Sequence, residues 1–189
     1  MKRLVVGISG ASGVVYGVRL LEVLRSVPDV ETHLILSKGA VVTLGFETDR
    51  TAEEVAALAD VVHDHADLAA PVSSGSFRVC GMAVVPCSMK SLAQIALSLG
   101  DNLLSRAADV TLKERRRLVV VPRETPLHLG HLRHMTALAE MGAVILPPAP
   151  SFYHAPQTIM DVVDQTVGKV LDQFDIPHQL FRRWGGHGA

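Results

Sequence analysis

Lys2-Arg-Leu-Val-Val6, followed at once by Gly7-Ile-Ser-Gly-Ala-Ser-Gly13, is the stretch on which the reading of this chain turns. The first five residues make a short apolar strand. Apolar residues then recur at helical spacing through Val14, Val18, Leu21 and Val23/Leu24, so a helix is expected from Val14 to Leu24. A strand, a glycine-rich turn and a helix start in that order form a cradle for a phosphate or a nucleotide. Glycines let the backbone turn tightly and approach a ligand, and the helix start offers unpaired N–H groups at the positive end of its dipole. The spacing is G-x-x-G-x-x-G, not the G-x-G-x-x-G of the dinucleotide fingerprint, so alone it also suits a plain tight turn. Ser9 and Ser12 are the polar groups inside it. Ser12 is placed to cap the helix, to present its hydroxyl to a ligand, or both.

Working outward, strand and helix signals alternate. Glu31–Leu36 reads as a second strand ending at Ser37-Lys38-Gly39, and a short helical stretch follows through Leu44. Thr51–Ala59 reads as a helix with a capping box of Thr51 and Glu54. Asp60–Gly75 shows no clear period, and Pro71-Val-Ser-Ser-Gly-Ser76 suggests a surface loop. Met82–Val85 is a buried strand, followed by Pro86-Cys87-Ser88-Met89-Lys90-Ser91. Helical period runs over Ser91–Leu99 and, after Gly100-Asp101-Asn102, on to Leu112. Leu118–Val121 is the next strand, then Pro122-Arg123-Glu124-Thr125-Pro126. His128–Met141 reads as a helix ended by Gly142, Ala143–Leu146 as a fifth strand, and Ile159–Phe174 as the last long helix.

Such alternation argues a three-layer α/β fold of the flavodoxin or Rossmann-like kind, a parallel sheet with helices on both faces. In these sheets ligands lie off the carboxyl ends of the strands, near a topological switch. Five polar or glycine-bearing segments each follow a strand and are expected to converge: Gly7–Gly13, Ser37, Pro86–Ser91, Pro122–Thr125 and Pro147–Tyr153.

Composition agrees and excludes. The chain has 189 residues, 48% of them hydrophobic and only 4% aromatic, enough for one domain with a substantial core. A net charge of −1 gives no electrostatic case for nucleic acid. No apolar run reaches the roughly 20 residues of a membrane span. The N-terminus lacks a secretion signal, and Cys80 and Cys87, seven apart, match no metal spacing. They read as reduced thiols near a buried strand, and the expectation is a cytoplasmic protein.

Ser37, Ser88 and Ser91 offer neutral donors suited to a phosphate on a helix start. Lys113, Arg123 and Lys169 add positive charge, whereas Arg115, Arg116 and Arg117 suggest a solvated face or subunit contact. Glu124 is either a general acid/base or an ion-pair partner of Arg123, and Glu47 is equally ambiguous. His128 and His131 share a helix face with His134 beyond, but no carboxylate stands at matching spacing, so surface or interface roles are expected over metal binding. Trp184 either anchors the tail or walls a pocket.

Taken together the motifs resemble a known family. Gly7-Ile-Ser-Gly-Ala-Ser-Gly13, Pro86-Cys-Ser-Met-Lys90, Asn102-Leu-Leu-Ser-Arg-Ala-Ala-Asp-Val110 and Leu112-Lys-Glu-Arg-Arg116 stand in order. They are followed by Pro122-Arg-Glu-Thr-Pro126, Gly142-Ala-Val-Ile-Leu-Pro147 and Phe152-Tyr-His-Ala-Pro-Gln157. In these the chain resembles the UbiX flavin prenyltransferases from Met1 to about Trp184. The resemblance implies an FMN-binding subunit of a homo-dodecamer with sites at subunit boundaries and no metal. It implies transfer of the dimethylallyl group of dimethylallyl phosphate to N5 and C6 of reduced FMN, giving prenylated FMN, the cofactor of UbiD-type decarboxylases in ubiquinone synthesis.

By the same resemblance, Gly10, Ala11, Ser12, Ser37, Ser88, Met89, Lys90, Ser91 and Arg123 would hold FMN, with Ser12 beside N5. Lys113, Arg123, Tyr153 and Lys169 would grip the prenyl phosphate, and Arg106 is a weaker candidate. Ser12, Glu47 and Glu124 would be catalytic, Glu124 handling protons and Glu47 shaping the region from a neighbouring subunit. Two positions depart from the pattern: Lys169 stands where many relatives carry Arg, and Arg117 where proline is common. One domain spanning 1–189, with a flexible tail at 185–189, is expected. Two rival readings are an FMN-dependent cysteine decarboxylase, which needs a histidine base near the flavin, and a non-catalytic flavin carrier.

Overall fold

The computed structural model describes residues 1–185. Its strands are β1 (Lys2–Ile8), β2 (Val30–Leu36), β3 (Val61–His63), β4 (Gly81–Cys87), β5 (Arg117–Pro122) and β6 (Val144–Ile145). All pairings are parallel, in the order β3-β2-β1-β4-β5-β6. The order reverses between β1 and β4, the switch point of a doubly wound sheet, and that is where a ligand crevice opens at the carboxyl ends. The helices are α1 (Val14–Leu24), α2 (Lys38–Glu47), α3 (Ala52–Ala56), α4 (Met89–Ala96), α5 (Leu103–Lys113), α6 (Leu129–Glu140) and α7 (Ile159–Asp172).

The pleat sorts the strands' apolar residues onto two faces. Leu4, Val6, Leu34, Ala83, Val85, Val119 and Val121 pack against α1 and α7, while Val5, Ile35, Met82, Val84, Leu118 and Val120 pack against α4, α5 and Leu138 of α6. Both sides are dry, so the strands read as continuous apolar runs. In α1, Leu20, Leu21 and Leu24 are at most 1% exposed, and each contributes roughly 2 kcal/mol by burial. That helix lies so close to β4 that a Cβ on Gly17 would collide with the Val85 carbonyl oxygen. Arg19 on α1 makes a bidentate pair with Asp164 on α7, at 2.6 and 3.2 Å, which fixes the two helices side by side.

Several expected elements come out differently. β3 falls inside the stretch with no legible period and makes a sixth strand. Its three residues are held by the ladder to β2, and Asp60, just before it, accepts from the Thr32 amide and hydroxyl at 2.7 and 2.8 Å. The helix after Thr51 closes at Ala56, although its capping box is present as expected. The fourth helix starts at Met89, two residues before the apolar period suggests, because Ser88 caps it. The expectation for the tail at 185–189 lies, from residue 186 on, outside the described residues. No helix among the described residues is long and apolar enough to cross a membrane.

Candidate functional site

Hydrogen bonds continue across the sheet one residue beyond the strands. The Ser37 amide donates to the Ile8 carbonyl at 3.0 Å, the Ser9 amide to the Pro86 carbonyl at 3.2 Å, and the Arg123 amide to the Cys87 carbonyl at 3.1 Å. Four strand exits, from β2 to β5, are therefore stitched into one row. At about 4.8 Å between strands it is about 14 Å long. Buried Ser9 is its staple: its hydroxyl donates to the Pro86 carbonyl at 3.0 Å and accepts from the Ser88 amide at 2.7 Å. A buried hydroxyl satisfied in both directions across the switch point fixes the two central loops against each other.

Three helices start along this row. The Ser37 hydroxyl caps α2 by accepting from the Ala40 amide at 3.0 Å, and the Ser88 hydroxyl caps α4 by accepting from the Ser91 amide at 3.2 Å. Ser88 also donates to the Ser91 hydroxyl at 3.1 Å. Lys38 and Lys90 stand exposed in the first turns of these helices. The first helix differs. Its cap position is Gly13, at φ 96, and no side chain of the turn bonds to its amides. Ser12 is not the cap; its side chain is left exposed, facing outward from the turn. The Gly13 and Val14 amides donate instead to Glu47 Oε2, at 2.7 and 3.2 Å. Glu47 thus reaches the first glycine turn of its own chain.

These loops fit a flavin mononucleotide. Gly10 is pressed so closely on the start of α2 that a Cβ there would stand 2.7 Å from the Gly39 backbone, so the turn leaves its main chain bare on the open side. The donors along the row are neutral hydroxyls and amides with one guanidinium, Arg123, a set suited to a phosphate at one end and a polar ring edge at the other. Gly10, Ser12, Lys90 and Arg123 are exposed, Ser37, Ser88 and Met89 are half-buried, and Ala11 and Ser91 are buried.

The structure gathers the remaining candidates unevenly. Glu124 makes no ion pair with Arg123; its carboxylate accepts from the Thr125 amide at 2.9 Å and is exposed. Tyr153 lies edge-on to Trp184, with ring centroids 5.7 Å apart, so the tryptophan packs against the loop after β6 while staying largely exposed. Lys169 lines a cavity of about 260 Å³ beside the exit of β6, with Leu146, Pro147 and Thr166. Lys113 is elsewhere. It ends α5 just before β5 begins, pairs with Glu114 at 2.5 Å, and lies beside Gly75 ahead of β4. The six residues of β5 at about 3.3 Å each put it roughly 20 Å from Arg123 along the strand direction. Arg106 is committed to the Ser73 carbonyl and to Asp109, at 3.2 and 2.9 Å. Arg116 is no solvated surface group either, since it donates to the Phe77 and Gly75 carbonyls at 2.9 and 2.7 Å.

His128 caps α6, accepting from the Gly130 amide at 3.0 Å, and its ring lies 3.6 Å from that of His131. Among the described residues no three His, Cys, Asp or Glu side chains come together as a metal site. Cys87 is fully buried on β4, and burial pushes its thiol above the ordinary range. One residue of the region escaped the sequence reading: Tyr16, one turn into α1. Burial raises its hydroxyl pKa and the charge of Arg123 lowers it, so the two side chains share a neighbourhood. Its position three residues after Gly13 was the available signal.

A doubly wound sheet whose switch point carries a glycine turn, serine-capped helix starts and an arginine defines a nucleotide-binding α/β protein, and comparison with known proteins narrows the class. Residues 1–183 match the Flavoprotein family. The chain is 63% identical to the flavin prenyltransferase UbiX of Escherichia coli K12, over 98% of this chain and all of that one. Its backbone superposes with a TM-score of 0.96 on AnUbiX (PadA1), solved with FMN and dimethylallyl pyrophosphate, at 54% identity over 98% of both chains. The same score and identity relate it to a dodecameric FMN-dependent UbiX-like decarboxylase from Escherichia coli O157:H7, over 97% of this chain and all of that one. The chain belongs to the UbiX family of flavin prenyltransferases.

Proposed function

We propose that this chain is a flavin prenyltransferase joining the dimethylallyl group of dimethylallyl phosphate to FMN, and that its product serves a UbiD-type decarboxylase in ubiquinone synthesis. The observation that carries the reading is the stitched row from Ser37 to Arg123, with two serine-capped helix starts, inside a chain 63% identical to such an enzyme. Gly10, Ala11, Ser12, Ser37, Ser88–Ser91 and Arg123 hold FMN. When bound, reduced FMN supplies the nucleophile, first at N5 and then at C6, that takes the dimethylallyl group.

The residues of the chain handle the charge and the protons. An allylic phosphate departs only as its growing negative charge is met, and fixed cations are the effective means. Arg123, Lys169 and the Tyr153 hydroxyl supply that field from the exits of β5 and β6. Lys169 acts as a point charge, where Arg would offer a fork. Lys113 joins them from a neighbouring subunit, because its own chain keeps it at the far edge of the sheet. Tyr153 and Trp184 form an aromatic wall that shelters positive character on the allyl group. Glu124, held only by the Thr125 amide, is free to take a proton, and Ser12 presents an exposed hydroxyl from the first turn.

The enzyme works as a single domain in a homo-oligomer of the dodecameric kind, in the cytoplasm. Phe46, Phe152, Ile159 and Trp184 are 85, 73, 82 and 67% exposed, apolar surface of the sort that subunit contacts cover. The deciding experiment is anaerobic: reduce the FMN-loaded protein, add dimethylallyl phosphate, and weigh the extracted flavin. A gain of one C5 unit is expected. Unmodified FMN with both the mono- and the diphosphate donor overturns the reading in favour of a flavin carrier, and CO2 release from a cysteine-containing substrate in favour of a cysteine decarboxylase. Glu124→Gln is expected to keep FMN and slow transfer about 100-fold in single turnover; an unchanged rate removes Glu124 from proton handling.

A further inference from the structure

We propose that Asp172 clasps the tail of the chain, through His178 and Arg183, onto the end of α7, and that this clasp holds Trp184 against Tyr153 for prenyl transfer. Asp172 and Arg183 are thereby positioning residues of the reaction. The inference rests on the function proposed above and adds what fixes its aromatic wall.

Asp172 is the last residue of α7, where a carboxylate meets the negative end of the helix dipole and needs a partner. Its partners come from the tail. Arg183 donates to both oxygens, from Nη2 to Oδ1 at 2.6 Å and from Nη1 to Oδ2 at 3.0 Å. His178 places Nε2 3.1 Å from Oδ1, and its Nδ1 accepts from the Leu180 amide at 3.3 Å, so the ring proton on Nε2 points to the carboxylate. The His178 side chain is 2% exposed. The hydrogen bond from Arg183 holds the Asp172 carboxyl below the usual carboxylate range. A single exposed ion pair fixes little, but a two-pronged fork that shares its carboxylate with a buried ring fixes a turn.

The helix itself makes room for this tail. Gly168 stands inside α7, where Ala would be the better helix former, and a Cβ there would come within 2.5 Å of both the His178 and the Phe181 rings. The strap therefore crosses α7 beside Lys169, which lines the cavity at the exit of β6. From the crossing it reaches Trp184, whose ring centroid lies 5.7 Å from that of Tyr153. The clasp is remote from the flavin seat. Lys2, the first residue of β1, donates to the Phe174 and Asp175 carbonyls at 3.2 and 3.3 Å, so α7 ends at the amino edge of the sheet. The rival role for Arg183, one more cation for the prenyl phosphate, is disfavoured because both of its terminal nitrogens are spent on Asp172.

The test is made on the full, FMN-loaded protein with two readouts. Trp184 is the only tryptophan, so its time-resolved fluorescence anisotropy reports how firmly the tail is held, and single-turnover transfer at saturating dimethylallyl phosphate reports the reaction. Asp172→Asn and Arg183→Gln are each expected to raise the amplitude of fast local Trp184 motion at least about twofold and to slow transfer about tenfold. FMN affinity should change by less than about threefold, and the double variant should be no slower than either single one. Arg183→Lys, which keeps a positive charge on Asp172, should recover part of the rate. Gly168→Ala should give both effects while leaving the charges of the clasp in place, and it decides the matter if the Asp172 variant does not fold. Loosened Trp184 with an unchanged rate overturns the proposal, as does slower transfer with Trp184 unmoved. Faster transfer in Asp172→Asn overturns it in favour of Arg183 as a phosphate cation. A wild-type protein that leaves FMN unmodified overturns the prenyltransferase reading, and with it the role of the clasp.

Discussion

The row of strand exits from β2 to β5 and the cations assigned to the prenyl phosphate are built in opposite ways. The row is complete within one chain: each exit is bonded to the next, Ser9 is satisfied in both directions, and the helix caps lie within three residues of their partners. The cations are scattered. Arg123 follows β5 and Lys169, on α7, lines the cavity beside the exit of β6, whereas Lys113 stands ahead of the amino end of β5 beside Glu114. A ring system that must lie in one plane needs a rigid seat, and local hydrogen bonds supply that. A leaving phosphate needs field more than fit, and field can be completed by a second subunit.

The largest effects should come from separating the two halves. Arg123→Ala and Lys113→Ala are each expected to slow single-turnover prenylation about 100- to 1000-fold. When the two variant chains are co-assembled, about a quarter of the sites regain both cations on random heterologous packing, and activity returns to that level. No recovery in mixed assemblies would falsify the shared site, and full activity of Lys113→Ala alone would remove it from the reaction.

Next in size is the seat itself. Gly17→Leu forces α1 off β4, where even a Cβ collides with the Val85 carbonyl. A loss of roughly 3 kcal/mol is expected, seen as a Tm lower by about 6–12 °C. Ser9→Ala should be milder, about 1–3 kcal/mol, because the Ser88 amide loses its acceptor. FMN binding should weaken with it. Ser12→Ala, at an exposed hydroxyl, should leave Tm alone; a Tm loss equal to that of Ser9→Ala would show that the turn is not divided into a structural and a reacting serine.

The smallest effect lies far from both halves, at the sheet edge. Burial, and then the charge of His33, hold His63 below the ordinary histidine range, and its Nε2 lies 3.0 Å from His33 Nδ1, whose ring is paired in turn with Glu31 at 2.8 Å. A folded-state pKa below the unfolded one means the neutral ring is favoured in the native state. The stability from this contact is whole above about pH 6.5 and declines as pH falls below it. Amide exchange at Val61–His63, corrected for its intrinsic rate, should therefore quicken between about pH 7 and pH 5, and His63→Phe should abolish the dependence. The prenylation site should not follow it.

Much of this was legible in the residues. The first helix begins and ends where its apolar spacing places it, because α1 buries one clear stripe against the sheet. Ser37 and Ser88 were visible as polar residues after apolar strands, but not the cap that Ser88 forms, because the apolar period begins only at Ser91. β3 was not, because three residues flanked by Asp60 and Asp64 have no period, and only the open edge of β2 makes them a strand. Ser12 looked like the cap of α1 on local grounds alone; the competitor that displaced it lies 35 residues away.

The sequence by itself determined the parallel α/β sheet, the loops that converge on its carboxyl edge and, through its motifs, the family. Those depend on short-range patterns: strand length, helical period, and glycine and serine at turns. Only the tertiary structure decided that Glu47 occupies the start of α1, that Ser9 and not Ser12 fastens the two central loops, and that Lys113 stands about 20 Å along the strand direction from Arg123. The reason is that strand order and helix docking bring together residues far apart in the chain, and no local spacing encodes which distant side chain will reach a pair of free amides first.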